Sequence, residues 1–195
     1  MPEYRNIVIS GPPASGKSTL VQELAIRRTL RTYSVGDMLR KEYTDKYPNK
    51  ELSFETWRLG LDLEYNRKAA LSILPILDKG DMIVDSRFVS FLDKSTNLLV
   101  FITAGIETRA TRCLDHPRYA GKSFEQIKKE LMKREEDEVE LGIKLFGKDY
   151  RDHDIYHLIL NSEILSVQAE FNGISGAFGY TSGFSVFTTS ITAKS

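Results

Sequence analysis

The sequence predicts an α/β protein built on one five-stranded parallel sheet with helices on both faces. Five short apolar runs, most of them rich in Val and Ile, alternate with stretches of helical periodicity. The runs are apolar throughout, as expected of strands covered on both sides. With 195 residues, 41% hydrophobic and 28% charged, the chain has an ordinary globular composition and enough length to bury roughly 70% of its unfolded surface.

Arg5–Ser10 is a β-branched run that stops at Gly11, and it reads as a central strand. Ser15–Arg28 follows as a helix, with Leu20/Leu24 and Val21/Ala25 one turn apart. Thr32–Val35 reads as a second strand closed by Gly36, and a polar helix runs from about Asp37 to Lys46, broken at Tyr47-Pro48-Asn49. Ser53 opens a longer helical region. Leu61–Lys79 carries Ala69, Ala70, Ile73, Leu74 and Leu77 on one face, is expected to kink at Pro75, and ends at Gly80. Met82–Asp85 and Leu98–Ile102 are the third and fourth strands, Glu107–Leu114 is a helix, and His116–Lys122 is a basic loop. Ser123–Phe146 is a long helix in one or two parts, Tyr156–Leu160 is the fifth strand, and a last helix starts in Glu163–Phe171. Right-handed crossovers between such strands give a doubly wound sheet.

From Asn172 to Ser195 the composition changes. Thirteen of these 24 residues are Gly, Ser or Thr, and Lys194 carries the only charge. This tail reads as a disordered extension or a sequence artefact, with an added β-hairpin as the alternative.

Lysine plus arginine and aspartate plus glutamate both number 27, so the net charge is zero. That argues against a nucleic-acid polymer or an anionic membrane as partner. A single cysteine, Cys113, excludes an internal disulfide and a cysteine-rich zinc site, and the chain reads as cytoplasmic.

The strongest motif is Gly11-Pro-Pro-Ala-Ser-Gly16-Lys17-Ser18, which fits G-x-x-x-x-G-K-[ST] between a strand and a helix. Its glycines let backbone N–H groups turn toward phosphate oxygens, and the positive end of the next helix points the same way. The loop Gly11, Pro12, Pro13, Ala14, Ser15, Gly16, Lys17, Ser18 and Thr19 is therefore the expected ATP site. Lys17 reaches the β and γ phosphates, and Ser18 ligates Mg²⁺.

A second Mg²⁺ ligand belongs at the end of another strand, and Asp85 fits; a plain strand-ending turn is the alternative. Arg87, two residues on, returns to the same side and suits a phosphate. Asp37 and Arg40 follow the second strand at a βα junction, where ligands bind in open α/β sheets; there Asp37 is either a ligand contact or a helix N-cap. Arg109, Arg112, Arg118 and Arg134 follow the fourth strand, as a phosphoryl-transfer flap or as a solvated face. Phe54 and Trp57 read as packing rather than as a base platform.

With these pieces in place, residues Asn6 to Phe171 resemble the nucleoside monophosphate kinases, most closely the short archaeal-type cytidylate kinases. The resemblance rests on Gly11–Thr19, Val35-Gly-Asp-Met-Leu-Arg40, Asp85-Ser-Arg87, Gly121-Lys-Ser-Phe-Glu125, Lys133-Arg-Glu-Glu136, and Asp154-Ile-Tyr156 before Leu158–Asn161. It implies a monomeric P-loop NTPase fold with a monophosphate-binding (NMP) insert at about 36–80 and a lid at about 114–124, in one domain over 1–171. It further implies transfer of the ATP γ-phosphate to CMP or dCMP. Lys17, Arg87, Arg118 and Arg134 would be catalytic, Asp37, Arg40, Arg67 and Arg87 would hold the acceptor, and Ser18 and Asp85 would hold Mg²⁺. The helix around Asp62, Asn66 and Arg67 would approach the base.

The chain departs from the family at Leu141-Gly142, where an Arg-Tyr pair is usual. It departs also at Asn66, where an acid is expected, and in a longer His116–Ala120 loop. An acceptor phosphate is already anionic and needs no general base, whereas an alcohol needs a placed carboxylate, for which Asp37 is the candidate. Adenylate kinase, a small-molecule alcohol kinase and a P-loop protein that binds nucleotide with little turnover are the alternatives.

Overall fold

Asn6–Ser10 has no exposed member, and it forms β1, the middle strand of the sheet in the computed structural model, which describes residues 4–49 and 51–179. The other strands are β2 (Arg31–Ser34), β3 (Met82–Asp85), β4 (Asn97–Thr103) and β5 (Leu158–Asn161). The order is β2-β3-β1-β4-β5, and every pairing is parallel. The chain fills one side of β1 and then crosses to the other, so a crevice opens beyond the carboxyl ends of β1, β3 and β4.

Side chains alternate across these strands and supply two cores. Ile7 and Ile9 of β1, Ile83 of β3 and Leu98, Val100 and Ile102 of β4 pack with Leu20 and Leu24 of α1 (Lys17–Arg28). Val8, Val84, Leu99 and Phe101 face the other way, against Ile73, Leu77, Tyr150 and Tyr156.

Between β2 and β3 lie α2 (Val35–Lys46), α3 (Phe54–Leu59), α4 (Leu63–Leu71) and the short α5 (Leu74–Leu77). They hold their own small core of Leu39, Trp57 and Ala69, with the rings of Tyr43, Phe54 and Tyr65 around it. The expected helix over 61–79 is two helices. Pro75 lies in the first turn of α5, where its missing N–H costs nothing, instead of kinking a longer helix. The Ser34 hydroxyl accepts from the Asp37 N–H and caps α2, so Asp37 is a first-turn residue and not the N-cap. Val35, expected in the strand, opens that helix.

After β4 come α6 (Ile106–Thr111), a 3₁₀ turn at Pro117–Tyr119, and α7 (Phe124–Phe146). α7 is one unbroken helix of 23 residues. Ser123 and Gln126 close a reciprocal capping box at its start, and Gly147, at φ 68°, ends it.

The last helix, α8 (Val167–Gly179), corrects the expected tail boundary at 172. Their glycine and serine content and lack of charge made residues 172–179 look like a tail, but those same residues pack on the sheet. Ile174 is fully buried among Leu20, Leu24 and Ile102, and Ser175 bonds Arg28 of α1 through both hydroxyl and carbonyl. The remaining expectation for the tail, disorder or a hairpin, concerns 180–195, which lie outside the described residues. Among the described residues no helix is long and apolar enough to cross a membrane.

Ile174→Ala is expected to lower unfolding stability by about 2–5 kcal/mol in a urea titration, because the site is closed on all sides. A loss under about 0.5 kcal/mol would mean that this turn does not dock in solution.

Candidate active site

The turn Gly11–Gly16 joins β1 to α1, and its course is set by close backbone packing. Gly11 sits at φ 144°, and a Cβ there would lie 2.2 Å from the Ile102 carbonyl of β4. Only glycine fits. Gly16, at φ 100°, caps α1 without a side-chain hydrogen bond, which leaves the first N–H groups and the positive end of the helix for an anion. Three bonds brace the loop. Ser10 Oγ donates to the Arg87 carbonyl (2.9 Å), Ser162 Oγ to the Ser15 carbonyl (2.8 Å), and Arg109 Nη1 to the Pro13 carbonyl (3.4 Å).

Lys17 is buried, and its Nζ donates to the Gly11 and Pro12 carbonyls at 2.8 Å each. Burial pushes its pKa down to about 7, and the Arg87 charge acts in the same direction; Asp85 and Glu138 oppose them.

A cleft of about 210 Å³ opens at the carboxyl end of the sheet. Its floor includes Pro13, Ala14, Lys17 and Ser18 of the loop, with Asp85 and Arg87 at the end of β3. Arg40, Phe54, Arg58 and Asn66 face it from the helices after β2, and Arg134 and Glu138 from α7. Five basic side chains and two carboxylates therefore line a cleft in a chain of zero net charge.

Glu138 organises the far wall. It is 0% exposed, and three guanidiniums converge on its Oε1: Arg87 Nη1 in close contact, Arg134 Nε at 3.0 Å and Arg58 Nη2 at 3.5 Å. Burial draws its carboxyl upward, but the charges of Arg87, Arg134 and Arg58 outweigh this and hold it below the usual carboxylate value. Arg134 and Glu138 are one turn apart on α7, the spacing that brings such a pair together.

Of the residues expected from sequence, Lys17, Ser18, Asp85, Arg87, Arg134 and Arg40 share this cleft. Among the side chains expected to touch the acceptor or the transferring phosphoryl group, Arg118, Asp37 and Arg67 do not line it. Arg118 is held by Glu55 of α3 at 2.7 Å, which ties the loop before α7 to the helices after β2. Asp37 is exposed and bound to Arg40 at 2.6 Å across one turn of α2. Arg67 stacks over the Phe146 ring, 5.4 Å from its centroid. Arg58 and Glu138 were missed, since nothing local in the sequence marks two residues 80 positions apart as partners. The long polar face of α7 was the available signal. Phe54, assigned to packing, does pack on Trp57 and also lines the cleft.

A family model described as an AAA domain matches residues 10–140. A cytidylate kinase of Methanoregula boonei is 31% identical over 159 residues, which cover 80% of this chain and 85% of that protein. This chain is a P-loop kinase related to cytidylate kinase. The cytidylate kinase of Ignicoccus hospitalis is 29% identical over 84% of this chain and 92% of that protein. Among solved structures, shikimate kinase from Bacteroides thetaiotaomicron shares the fold, with a TM-score of 0.56 and 11% identity over 89% of this chain and 98% of that one.

Within this kinase the Leu141-Gly142 departure has a packing counterpart. A Cβ on Gly142 would lie 3.1 Å from the Phe88 ring and 3.2 Å from the Lys148 carbonyl, so a larger residue there needs Phe88 and that carbonyl to yield by a few tenths of an ångström.

A phosphate beside Lys17 favours its charged form. Binding of a nucleoside triphosphate at pH 8 is therefore expected to take up between about half and one proton, falling toward zero below pH 6, for a lysine starting near pKa 7. Calorimetry in two buffers of different ionisation enthalpy reads this directly. Zero uptake at pH 8 would mean that Lys17 is already charged in the free kinase.

Proposed function

We propose that this kinase transfers the γ-phosphate of ATP to a nucleoside monophosphate, with CMP and dCMP as preferred acceptors. The observation that carries the reading is convergence. The loop lysine and four arginines from separate elements face one cleft, whose other wall is the mixed aromatic and apolar surface of the insert.

Residues 36–80 act as the acceptor-binding insert and 114–124 as the lid. Lys17 and the loop N–H groups take the donor phosphates. Ser18 and Asp85 offer hard oxygen donors on one wall, which suits Mg²⁺; when bound, that ion neutralises charge on the donor phosphates. Arg40 and Arg87 hold the acceptor phosphate, and Arg134 screens charge on the phosphoryl group in flight. Arg118 closes the lid onto the insert through Glu55 and stays at the rim. Asp37 and Arg67 have no role in this reading. The kinase is read as a cytoplasmic monomer.

Transfer forms a P–O bond from an acceptor phosphate oxygen to the γ-phosphorus and breaks the bond to the β–γ bridging oxygen. No proton must be abstracted. An alcohol acceptor would need a base, and Asp37 is bound to Arg40 and outside the cleft lining. This favours the monophosphate over the alcohol. The cytidylate kinase relatives favour CMP over AMP.

The test is ADP release with Mg-ATP against CMP, dCMP, UMP, AMP and GMP. Turnover highest with CMP or dCMP and at least about 10³-fold lower in Lys17→Ala is expected. Preference for AMP would reassign the acceptor, and tight ATP binding without turnover on any acceptor would leave a nucleotide-binding protein. Arg87→Ala is expected to lower kcat/KM for the acceptor by about 10–100-fold. An unchanged value would mean that the acceptor phosphate sits elsewhere.

A further inference from the structure

Arg58 is unlike the other two arginines on Glu138. Arg87 follows β3, and Arg134 lies one turn before Glu138 on α7, so both are carried by the core of the fold. Arg58 comes from α3, in the segment between β2 and β3. Its contact with Glu138, at 3.5 Å, is the longest of the three. One guanidinium would balance one carboxylate. Three leave two positive charges over at a wall that Arg58, Arg87 and Arg134 all line. These guanidiniums are only partly exposed, and a surplus of such charge around a fully buried carboxylate draws an anion to it. Beyond Arg134, α7 adds no charge there: Leu141, three residues past Glu138 and near the same face, is uncharged. The third guanidinium arrives only because α3 is docked. That docking has a second tie, since Glu55, three residues before Arg58, holds Arg118 of the lid at 2.7 Å.

We propose that Arg58 is a phosphate-binding residue of the transfer site, supplied by the insert, and that Glu138 is its resting partner, exchanged for the acceptor phosphate when the acceptor binds. This rests on the monophosphate kinase reading above. Arg58 contributes charge and two parallel N–H donors, and no proton moves through it. Because Arg58 turns from Glu138 to the acceptor phosphate only when the acceptor arrives, completion of the transfer site is coupled to acceptor binding, which restrains loss of the γ-phosphate to water.

The experiment compares wild type, Arg58→Ala and Arg58→Lys in turnover and in equilibrium binding of CMP without ATP. Arg58→Ala is expected to lower kcat by about 10²–10³-fold and to weaken CMP binding about 10-fold, while KM for ATP changes less than about 2-fold. Arg58→Lys keeps the charge and stem and should recover part of the loss, and added guanidinium ion should partly rescue Arg58→Ala. An arginine that only tied α3 to α7 would lower the melting temperature of both variants and show no guanidinium rescue. Unchanged kcat and CMP affinity in Arg58→Ala, or a loss that follows the melting temperature without rescue, overturns the proposal. If the wild type binds CMP without turning it over, the kinase reading fails while weaker CMP binding in Arg58→Ala still supports a phosphate contact. If the wild type binds no monophosphate, both readings fall.

Discussion

Guanidiniums aimed into one cleft repel each other, and the buried carboxylate of Glu138 lets three of them share a wall. A carboxylate with no exposure is itself costly, and it stays ionised here because Arg87, Arg134 and Arg58 outweigh its desolvation. The dependence is mutual. Without Glu138 the arginines would spread toward water; without the arginines the carboxylate would take up a proton. The elements that carry them, the end of β3, the middle of α7 and α3, are therefore held in a fixed relation around the cleft before any ligand enters.

The phosphate loop supplies the opposite wall by a different device. Its shape comes from backbone contacts, with Gly11 against the Ile102 carbonyl and Lys17 folded onto the Gly11 and Pro12 carbonyls. The bond from Ser10 to the Arg87 carbonyl links the two devices, because it ties the strand that enters the loop to the segment that carries the first arginine. A shift in β3 would be felt at both walls. This explains how two short elements, β1 and β3, paired over four residues, set most of the site geometry.

How much of this the sequence showed follows from the range of each interaction. The strands were legible because their signal is local: apolar runs ended by glycine or a polar turn. The loop was legible because glycine spacing and Lys17 lie within eight residues. The N-cap alternative for Asp37 falls three residues late, since Ser34 and Asp37 are both good caps and only the backbone turn decides between them. Residues 172–179 looked like low-complexity tail because glycine and serine make up half of them and none is charged, while their partners, Leu20, Leu24 and Arg28, lie about 150 positions earlier. Arg58 was invisible for the same reason: a lone arginine on a six-residue helix has no local mark of its partner. Arg67, which the family resemblance placed at the acceptor, stacks on the Phe146 ring instead and does not line the cleft.

Charge gives the last step. The chain is neutral overall, yet its cleft holds Lys17, Arg40, Arg58, Arg87 and Arg134 against Asp85 and Glu138. A surplus confined to one cavity attracts a ligand of several negative charges and does little for a polymer or a membrane, which need a broad basic face. The surplus is also divided. Lys17 stands on the loop side, while Arg58, Arg87 and Arg134 meet on Glu138 across the cleft. One polyphosphate on the loop would satisfy the lysine and leave the arginine wall with a single carboxylate among three guanidiniums. A neutral alcohol there would displace water from partly exposed charged groups and return no charge. An acceptor that brings its own phosphate removes that imbalance, and the division of charge across the cleft then matches the two reactants of a phosphoryl transfer.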